Sequence, residues 1–200
     1  MAFMKTFKHA IALTGGIATG KSTVSAMLLE KGFSIIDADK VAHLMLDMHA
    51  DGIVEMFGEE YVKEGQVDRK KLGAIIFNNP ENRTKLEGFL HPLIRAEIER
   101  QSQALEKKQT SYIVDIPLFF ETKSYEIKEV VLVYAPLKIQ RERLMKRDGF
   151  SQEEANNRIN AQMSIEVKKA GSSFIIDNSK DVKHLEDEVL RFEDYLKGLS

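Results

Sequence analysis

The most constraining feature of the sequence is a nine-residue segment, residues 15–23, that reads Gly-Gly-Ile-Ala-Thr-Gly-Lys-Ser-Thr. It matches the phosphate-binding pattern G-x-x-x-x-G-K-[ST]. An apolar run that ends at Thr14 precedes the segment, and a credible helix, Val24–Leu29, follows it. Because the pattern requires a strand before the loop and a helix after it, this context favours a loop that binds phosphate over a glycine-rich structural turn.

Each part of this segment has a chemical task in holding a nucleotide. Gly15 and Gly20 permit positive φ angles and a close approach of backbone N–H groups, which a Cβ would block. Those amides and the positive end of the following helix form an anion site. Lys21 is predicted to bridge the β- and γ-phosphates of ATP, and the Ser22 hydroxyl to ligate Mg²⁺. The residues predicted to bind the nucleotide are Gly16, Ile17, Ala18, Thr19, Gly20, Lys21, Ser22 and Thr23.

Short apolar runs alternate with longer helical patterns along the chain. The predicted strands span residues 9–13, 33–36, 112–114, 130–134 and 174–176. This alternation predicts an α/β fold in which a five-stranded parallel sheet is covered by helices on both faces.

The helix signals agree with this fold. Asn79 followed by Pro80 predicts a helix start, and Ser151 with Glu154 has the spacing of a capping box. Apolar residues three and four positions apart predict that the last helix packs on the sheet through Val182, Leu185, Val189, Phe192 and Leu196.

The length of 200 residues favours a single domain that carries insertions. The region between the second and third predicted strands, about residues 40–110, is longer than a crossover needs and is interpreted as an inserted helical subdomain. A second excursion, about residues 147–171, is rich in Arg, Lys, Gln and Asn. In a nucleotide kinase these are the places expected for an acceptor-binding region and for a closing lid.

The composition excludes several classes of protein. The chain has no cysteine, so disulfides, thiolate metal sites and cysteine nucleophiles are excluded. A formal net charge of −2 supplies no bulk field for a nucleic acid or an anionic membrane. The apolar run that follows Met1–Lys5 is too short for a signal peptide or a membrane span. We therefore expect a cytoplasmic monomer or small homo-oligomer that binds neither nucleic acid nor membrane.

A second carboxylate is expected near the phosphates, at the tip of a neighbouring strand, and Ile113-Val114-Asp115 supplies it. Asp115 is predicted to hold Mg²⁺ through water or to orient the acceptor; the alternative is a strand-end Asp that caps the turn before Pro117. No Glu follows Asp115, although many ATP-hydrolysing motors place their water-activating residue there. Phosphoryl transfer to an acceptor is therefore favoured over hydrolysis.

Further motifs follow in order along the chain. They are Leu-Thr-Gly-Gly-Ile at 13–17, Asp-Ala-Asp-Lys-Val-Ala-His at 37–43, Leu-His-Pro-Leu-Ile-Arg at 90–95, Asp-Ile-Pro-Leu-Phe-Phe-Glu at 115–121, Gln-Arg-Glu-Arg-Leu at 140–144, the segment 158–162 and Ile-Asp-Asn-Ser at 176–179. Together they resemble the dephospho-CoA kinase family over nearly the whole chain. The departures are Ala18 where that family often has Gly, Ser164 where Pro is usual, and Gly-Ser-Ser at 171–173 in place of a commoner Ala-Asp pair.

The resemblance implies transfer of the γ-phosphoryl group of ATP to the ribose 3′-hydroxyl of dephospho-CoA. A carboxylate must accept or orient the hydroxyl proton, and Asp39 is the candidate, with Asp37 as the second choice. The alternative role for Asp39 is the N-cap of the following helix. Arg147 and Arg158 are expected to neutralise charge on the phosphoryl group as lid residues, or else to be solvated surface arginines.

The remaining implied contacts concern the ends of the two substrates. Asn178 resembles an adenine-side contact, although a plain loop amide is the alternative. Arg95 is expected to pair with a phosphate of dephospho-CoA, and His91 to bind the same acceptor or to mark a helix end. Leu118, beside Asp115, lines the acceptor cleft or fills core together with the phenylalanines that follow it.

Three rival functions remain open on the sequence. Another small-molecule kinase of the same fold would differ only in its acceptor-side residues. A nucleotide-dependent switch should carry N-K-x-D and a D-x-x-G after the second strand-end Asp, whereas Ile-Pro-Leu follows Asp115. A nucleic-acid motor should carry a basic tract and a hydrolytic Glu, and the sequence lacks both.

Overall fold

A computed structural model of the chain describes residues 7–198. The helices and strands follow one another in the order β1 (Ala10–Gly15), α1 (Lys21–Glu30), β2 (Ile35–Asp37), α2 (Ala38–Met48), α3 (Ala50–Phe57), β3 (Val62–Lys63), β4 (Gln66–Val67), α4 (Arg69–Asn78), α5 (Pro80–Glu106), β5 (Tyr112–Asp115), α6 (Phe119–Thr122), β6 (Glu129–Tyr134), α7 (Leu137–Asp148), α8 (Gln152–Asn160), α9 (Ile165–Ala170), β7 (Phe174–Asp177) and α10 (Val182–Lys197).

The central sheet has the strand order β2-β5-β1-β6-β7. β1 pairs in parallel with β5 on one side and with β6 on the other, and β7 pairs in parallel with β6. From the central strand β1 the chain first fills one side of the sheet, with β2 and β5, and then the other side, with β6 and β7. Ligands of such open α/β sheets bind outside the carboxyl ends of the strands at the place where the two sides meet. The predicted five-stranded parallel sheet is confirmed.

The chain forms two compact units. One contains the residues up to Ile36 and those from Ser102 onward, and the other is Asp37–Gln101. The second unit has its own apolar core, formed by Leu46, Ala50, Ile53, Val67, Leu72 and Leu90.

The core of the first unit lies between the sheet, α1 and α10. Ile11 and Leu13 of β1 point into it, because side chains alternate between the two faces along a strand. The stripe predicted for the last helix supplies four of its members, Leu185, Val189, Phe192 and Leu196. Val182 does not belong to the core, since it is 64% exposed in the first turn of α10. α9 packs against β6 from the other face, so helices cover both faces of the sheet as predicted.

Both predicted helix starts are confirmed. α5 begins at Pro80, and the Asn79 side chain accepts hydrogen bonds from the next two free backbone N–H groups at 2.9 and 3.2 Å. α8 begins after Ser151, and Ser151 and Glu154 form a reciprocal capping box.

The sequence predicted only helices between the second and third strands of the sheet, and this is incomplete. β3 and β4 form a short antiparallel hairpin there. Glu64 and Gly65 both have positive φ, at 51° and 76°, as a tight two-residue hairpin turn requires. Strands of two residues leave no alternating apolar pattern, so the periodicity could not reveal them.

Within residues 7–198, no helix combines the length and the apolar content that crossing a membrane would need. The opening segment Met1–Lys5, on which the expectation about a signal peptide partly depends, lies outside the described residues.

Candidate active site

The phosphate-binding loop connects the carboxyl end of β1 with the amino end of α1. Gly20 is the N-cap residue of α1 and has φ 90°, in the left-handed region that favours glycine. A Cβ at Gly20 would lie 2.2 Å from Asn178 Nδ2. Gly15 was also expected to need a positive φ, and this is wrong: it is the last residue of β1, and glycine serves there because a Cβ would lie 2.7 Å from Thr19 Oγ1.

Ala18, at the tip of the loop, has φ 59°. A residue with a Cβ is strained in this left-handed conformation by about 1–2 kcal/mol. This is a physical reason why glycine suits the position, and the alanine in this chain does not prevent the loop from forming.

The loop is held from outside through its carbonyl groups. The Asn178 side chain donates to Thr19 O at 2.8 Å, and Arg143 donates to Thr19 O at 3.3 Å and to Asn178 O at 2.9 Å. Thr19 Oγ1 closes the loop by donating to Gly16 O at 2.9 Å. Because C=O and N–H point in opposite directions in a trans peptide, anchoring Thr19 O turns the N–H of Gly20 away from these side chains.

These contacts show that Asn178 and Arg143 bind the backbone of the loop. Asn178 is predicted to contact adenine, and its buried amide nitrogen already donates to the loop backbone. Arg143 contacts the loop, whereas Arg147, which the sequence predicts to contact phosphate, pairs with Asp148. The sequence could not separate them, because residues four apart lie on the same helical face.

Lys21, Asp115 and Ser25 form a polar cluster beside the loop. The Lys21 ammonium forms an ion pair with Asp115 Oδ1, and Ser25 Oγ donates to Asp115 Oδ2 at 2.7 Å. Asp115 ends β5 and is only 4% exposed, so the predicted lysine and strand-end carboxylate meet as the motif requires. Ser25 was missed; it lies one helical turn after Ser22, on the same face of α1.

The oxygen atoms at this place fit a hard divalent cation. Ser22 offers a hydroxyl and Asp115 a carboxylate, and oxygen donors of this kind suit Mg²⁺. Among residues 7–198, no group of three or more His, Cys, Asp or Glu side chains could hold a metal. Mg²⁺ would therefore depend on phosphate oxygens and water for most of its ligands, as is usual at kinase sites.

The two predicted lid arginines lie around one aspartate. Arg147 donates from Nε and Nη2 to the two carboxylate oxygens of Asp148, both at 2.8 Å. The hydrogen bonds from Arg147, with a further contribution from the charge of Arg158, lower the pKa of the Asp148 carboxyl. Arg158 also lies over the Phe150 ring, 4.2 Å from its centroid. The structure thus brings Arg147 and Arg158 to the same neighbourhood and gives both of them protein partners.

The aspartates at the end of β2 and in the first turn of α2 have different local roles. Asp37 is the N-cap of α2, and its side chain accepts a hydrogen bond from Lys40 N at 3.0 Å. The alternative that Asp39 caps this helix is therefore wrong. Asp39 lies in the first turn of α2 and is exposed, and within the described part of the chain its carboxylate has no hydrogen bond or ion pair.

The remaining acceptor candidates are largely exposed. His91 lies inside α5, which continues through Pro92, so the alternative that it marks a helix end is wrong. Arg95 is also exposed on α5 and donates to Glu99 Oε1 at 3.0 Å. Leu118 is 40% exposed directly before α6, whereas the following Phe119 is buried as core.

Comparisons with known proteins agree with the architecture and with the loop. A model of the family described as dephospho-CoA kinase matches residues 9–184. A curated dephospho-CoA kinase from Sulfurimonas denitrificans is 50% identical over 192 residues, which cover 96% of either chain. One from Wolinella succinogenes is 45% identical and covers 97% of this chain and 98% of its own. A solved dephospho-CoA kinase from Campylobacter jejuni is 36% identical with a TM-score of 0.73, covering 94% of this chain and 97% of its own.

Proposed function

The chain belongs to the dephospho-CoA kinase family and is an ATP-dependent kinase, and we propose that it transfers the γ-phosphoryl group of ATP to the ribose 3′-hydroxyl of dephospho-CoA, giving ADP and CoA. The observation that carries the proposal is the phosphate-binding loop with Lys21 and Asp115 paired beside it. A loop whose carbonyls are anchored from outside and whose lysine meets a buried carboxylate is suited to a nucleotide polyphosphate.

Lys21 binds the phosphates of the nucleotide, including the phosphoryl group that is transferred. Its ammonium exchanges Asp115 for the β- and γ-phosphates when the nucleotide binds, because the phosphates carry more negative charge than one carboxylate. Asp115 and Ser22 would then hold Mg²⁺, which when bound neutralises charge on the phosphates. Asn178 and the loop residues from Gly16 to Thr23 contact the nucleotide.

Asp39 accepts or orients the proton of the acceptor hydroxyl. An alcohol is a poor nucleophile, so a carboxylate has to take its proton while the phosphoryl group is transferred. The exposed carboxylate of Asp39 suits this task better than that of Asp37, since Asp37 caps α2.

Arg147 and Arg158 neutralise the equatorial oxygens of the phosphoryl group as parts of a lid at about residues 147–171. The support is their shared position around Asp148, which keeps two cations together in one segment. A phosphate offers these guanidinium groups a stronger partner than a single carboxylate.

The acceptor is held by the helical insertion of about residues 40–110. Arg95 pairs with a phosphate of dephospho-CoA, and His91, four residues earlier on α5, lies on the same helical face. Leu118 offers an exposed apolar surface for the acceptor. The substrates are small molecules rather than nucleic acids. The same proposal includes that the protein is a monomer or small homo-oligomer in the cytoplasm, where ATP is available.

The acceptor is tested by supplying purified protein with ATP and Mg²⁺ and following ADP release. Dephospho-CoA should support turnover, whereas AMP, shikimate and pantothenate should give only the background rate without acceptor. The product with dephospho-CoA should carry one additional phosphate by mass spectrometry. Turnover with another acceptor and not with dephospho-CoA would contradict the proposal.

A further inference from the structure

Lys168 of α9 is a fully buried cation that none of the roles above uses. Its side chain is 0% exposed. The ammonium donates to the backbone oxygen of Gly15 at 3.0 Å and forms an ion pair with Glu121 Oε1 at 2.8 Å. It therefore joins the first residue of the phosphate-binding loop to a carboxylate of α6.

Stability alone is a poor reason for a charge in this position. Removing an ammonium from water costs several kcal/mol, and a buried ion pair often stabilises no more than apolar residues of similar volume. The partner is also imperfectly satisfied: Glu121 Oε2 is buried, and among the described residues it has no hydrogen-bond partner. A costly pair that is incompletely bonded points to a role in function.

Two residues that precede Lys168 within two helical turns' length of chain, Gln162 and Ile165, contact the next two residues of the loop. We call residues 162–168 the loop clasp. Gln162 Oε1 accepts a hydrogen bond from Ile17 N at 2.8 Å. The Ile165 side chain packs so closely on Gly16 that a Cβ there would lie 3.2 Å from Ile165 Cδ1. The clasp thus touches three consecutive loop residues by an ammonium, an apolar group and an amide oxygen.

The contact at Gly15 has an electrostatic consequence for anion binding. The peptide between Gly15 and Gly16 is trans, so its N–H points away from the oxygen that Lys168 holds. A charge-assisted hydrogen bond at the oxygen polarises the peptide and strengthens the N–H as a donor. A buried charge is also weakly screened by salt, so the ammonium adds positive potential at the start of the loop.

We propose that Lys168 is a positioning residue for phosphoryl transfer, which holds and polarises the Gly15–Gly16 peptide so that the loop binds the nucleotide polyphosphate. Glu121 is its counterion and does not act on the nucleotide. This inference rests on the proposed function, because it assumes that the loop binds a nucleotide.

The test compares four variants with wild type for binding of ADP with Mg²⁺ by calorimetry and for the thermal unfolding midpoint. Lys168→Met removes the cation. Glu121→Gln removes only the counterion and keeps an oxygen to accept from Met163 N, a bond of 3.1 Å in wild type. The double variant removes both charges, so no unpaired charge stays buried. Lys169→Met is the matched control, because Lys169 is the exposed next residue of α9.

We expect Lys168→Met and the double variant to bind ADP at least about tenfold more weakly, the loss typical of one charge-assisted hydrogen bond. Glu121→Gln and Lys169→Met should stay within about threefold of wild type. The double variant should also unfold at a higher temperature than Lys168→Met. Its affinity for ADP should nevertheless stay low, although its stability has partly recovered.

Two outcomes would overturn the inference. One is nucleotide affinity in the double variant equal to wild type, or restored in step with the unfolding midpoint, since the pair would then be only structural. The other is an equal loss of affinity in Lys168→Met and Glu121→Gln, which decides the matter even if the double variant does not fold. If wild type and Lys169→Met also failed to bind ADP, the failure would belong to the proposed function.

Discussion

Gly20 has to satisfy two conditions at once. Its backbone is left-handed, with φ 90°, and its missing Cβ leaves room for the Asn178 side chain. Gly32, just beyond the other end of α1, has nearly the same φ, 88°, but a Cβ there would meet nothing within 4 Å. The pair therefore separates the cost of conformation from the cost of a steric clash.

Gly20→Ala should lower both stability and nucleotide affinity, whereas Gly32→Ala should lower stability alone. Each alanine pays about 1–2 kcal/mol for its left-handed conformation. At Gly20 the Cβ additionally displaces Asn178 Nδ2, which would lie 2.2 Å away, and so removes the bond to Thr19 O. The checks are urea unfolding and calorimetric titration with ADP and Mg²⁺. Equal affinity losses in the two variants would refute the argument.

The start of α2 carries two aspartates, two residues apart, in different local environments. Asp37 caps the helix through Lys40 N, and Asp39 presents an exposed carboxylate in the first turn. Both carboxylates lie at the amino end of the helix.

We expect Asp39→Asn to reduce kcat by about 10²–10⁴, the usual contribution of a general base, with little change in the unfolding midpoint. Asp37→Asn is the matched variant, because Asn is as good an N-cap as Asp and removes the same charge. It should keep most of the turnover. Steady-state kinetics with dephospho-CoA checks both, and a large loss in Asp37→Asn with near-normal Asp39→Asn would move the base to Asp37.

For the protein as a whole, nucleotide binding should appear as added stability. A ligand that binds only the folded protein stabilises it by about 2.7 kcal/mol at a free concentration 100 times its Kd. Lys21 links nucleotide binding to stability. In the described structure its ammonium pairs with the carboxylate of Asp115, a residue that is only 4% exposed.

Lys21→Met should lower the unfolding midpoint without ligand, since it removes the ammonium that pairs with the buried Asp115 carboxylate. It should also abolish most of the increase in midpoint with ADP and Mg²⁺ and reduce kcat by about 10²–10³. Lys31→Met is the control at the other end of α1, where a partly exposed pair with Glu193 contributes about 0–1 kcal/mol. Thermal unfolding with and without nucleotide measures the effect; an unchanged ligand shift in Lys21→Met would contradict the role of Lys21.

Local patterns were sufficient for the strands of the central sheet, for two helix starts and for the position of the loop, although they did not reveal the hairpin of β3 and β4. Strand and helix periodicity, the capping residues Ser151 and Asn79, and the spacing of residues 15–23 all act over a few neighbouring residues. The parallel sheet followed from the alternation of these elements, because parallel strands need helical crossovers. The predicted roles of Asp39, His91, Arg95, Arg147 and Arg158 remain predictions for the kinetic tests.

Contacts between residues far apart in the chain were decided only by the tertiary structure. Arg143 reaches Thr19 across 124 positions, Asn178 reaches the same oxygen across 159, and Lys168 reaches Gly15 across 153. Which of several basic residues turns inward depends on how α7 and α9 pack on the sheet, and no local pattern encodes that. The sequence therefore located the phosphate-binding loop, whereas packing selected the side chains that hold it.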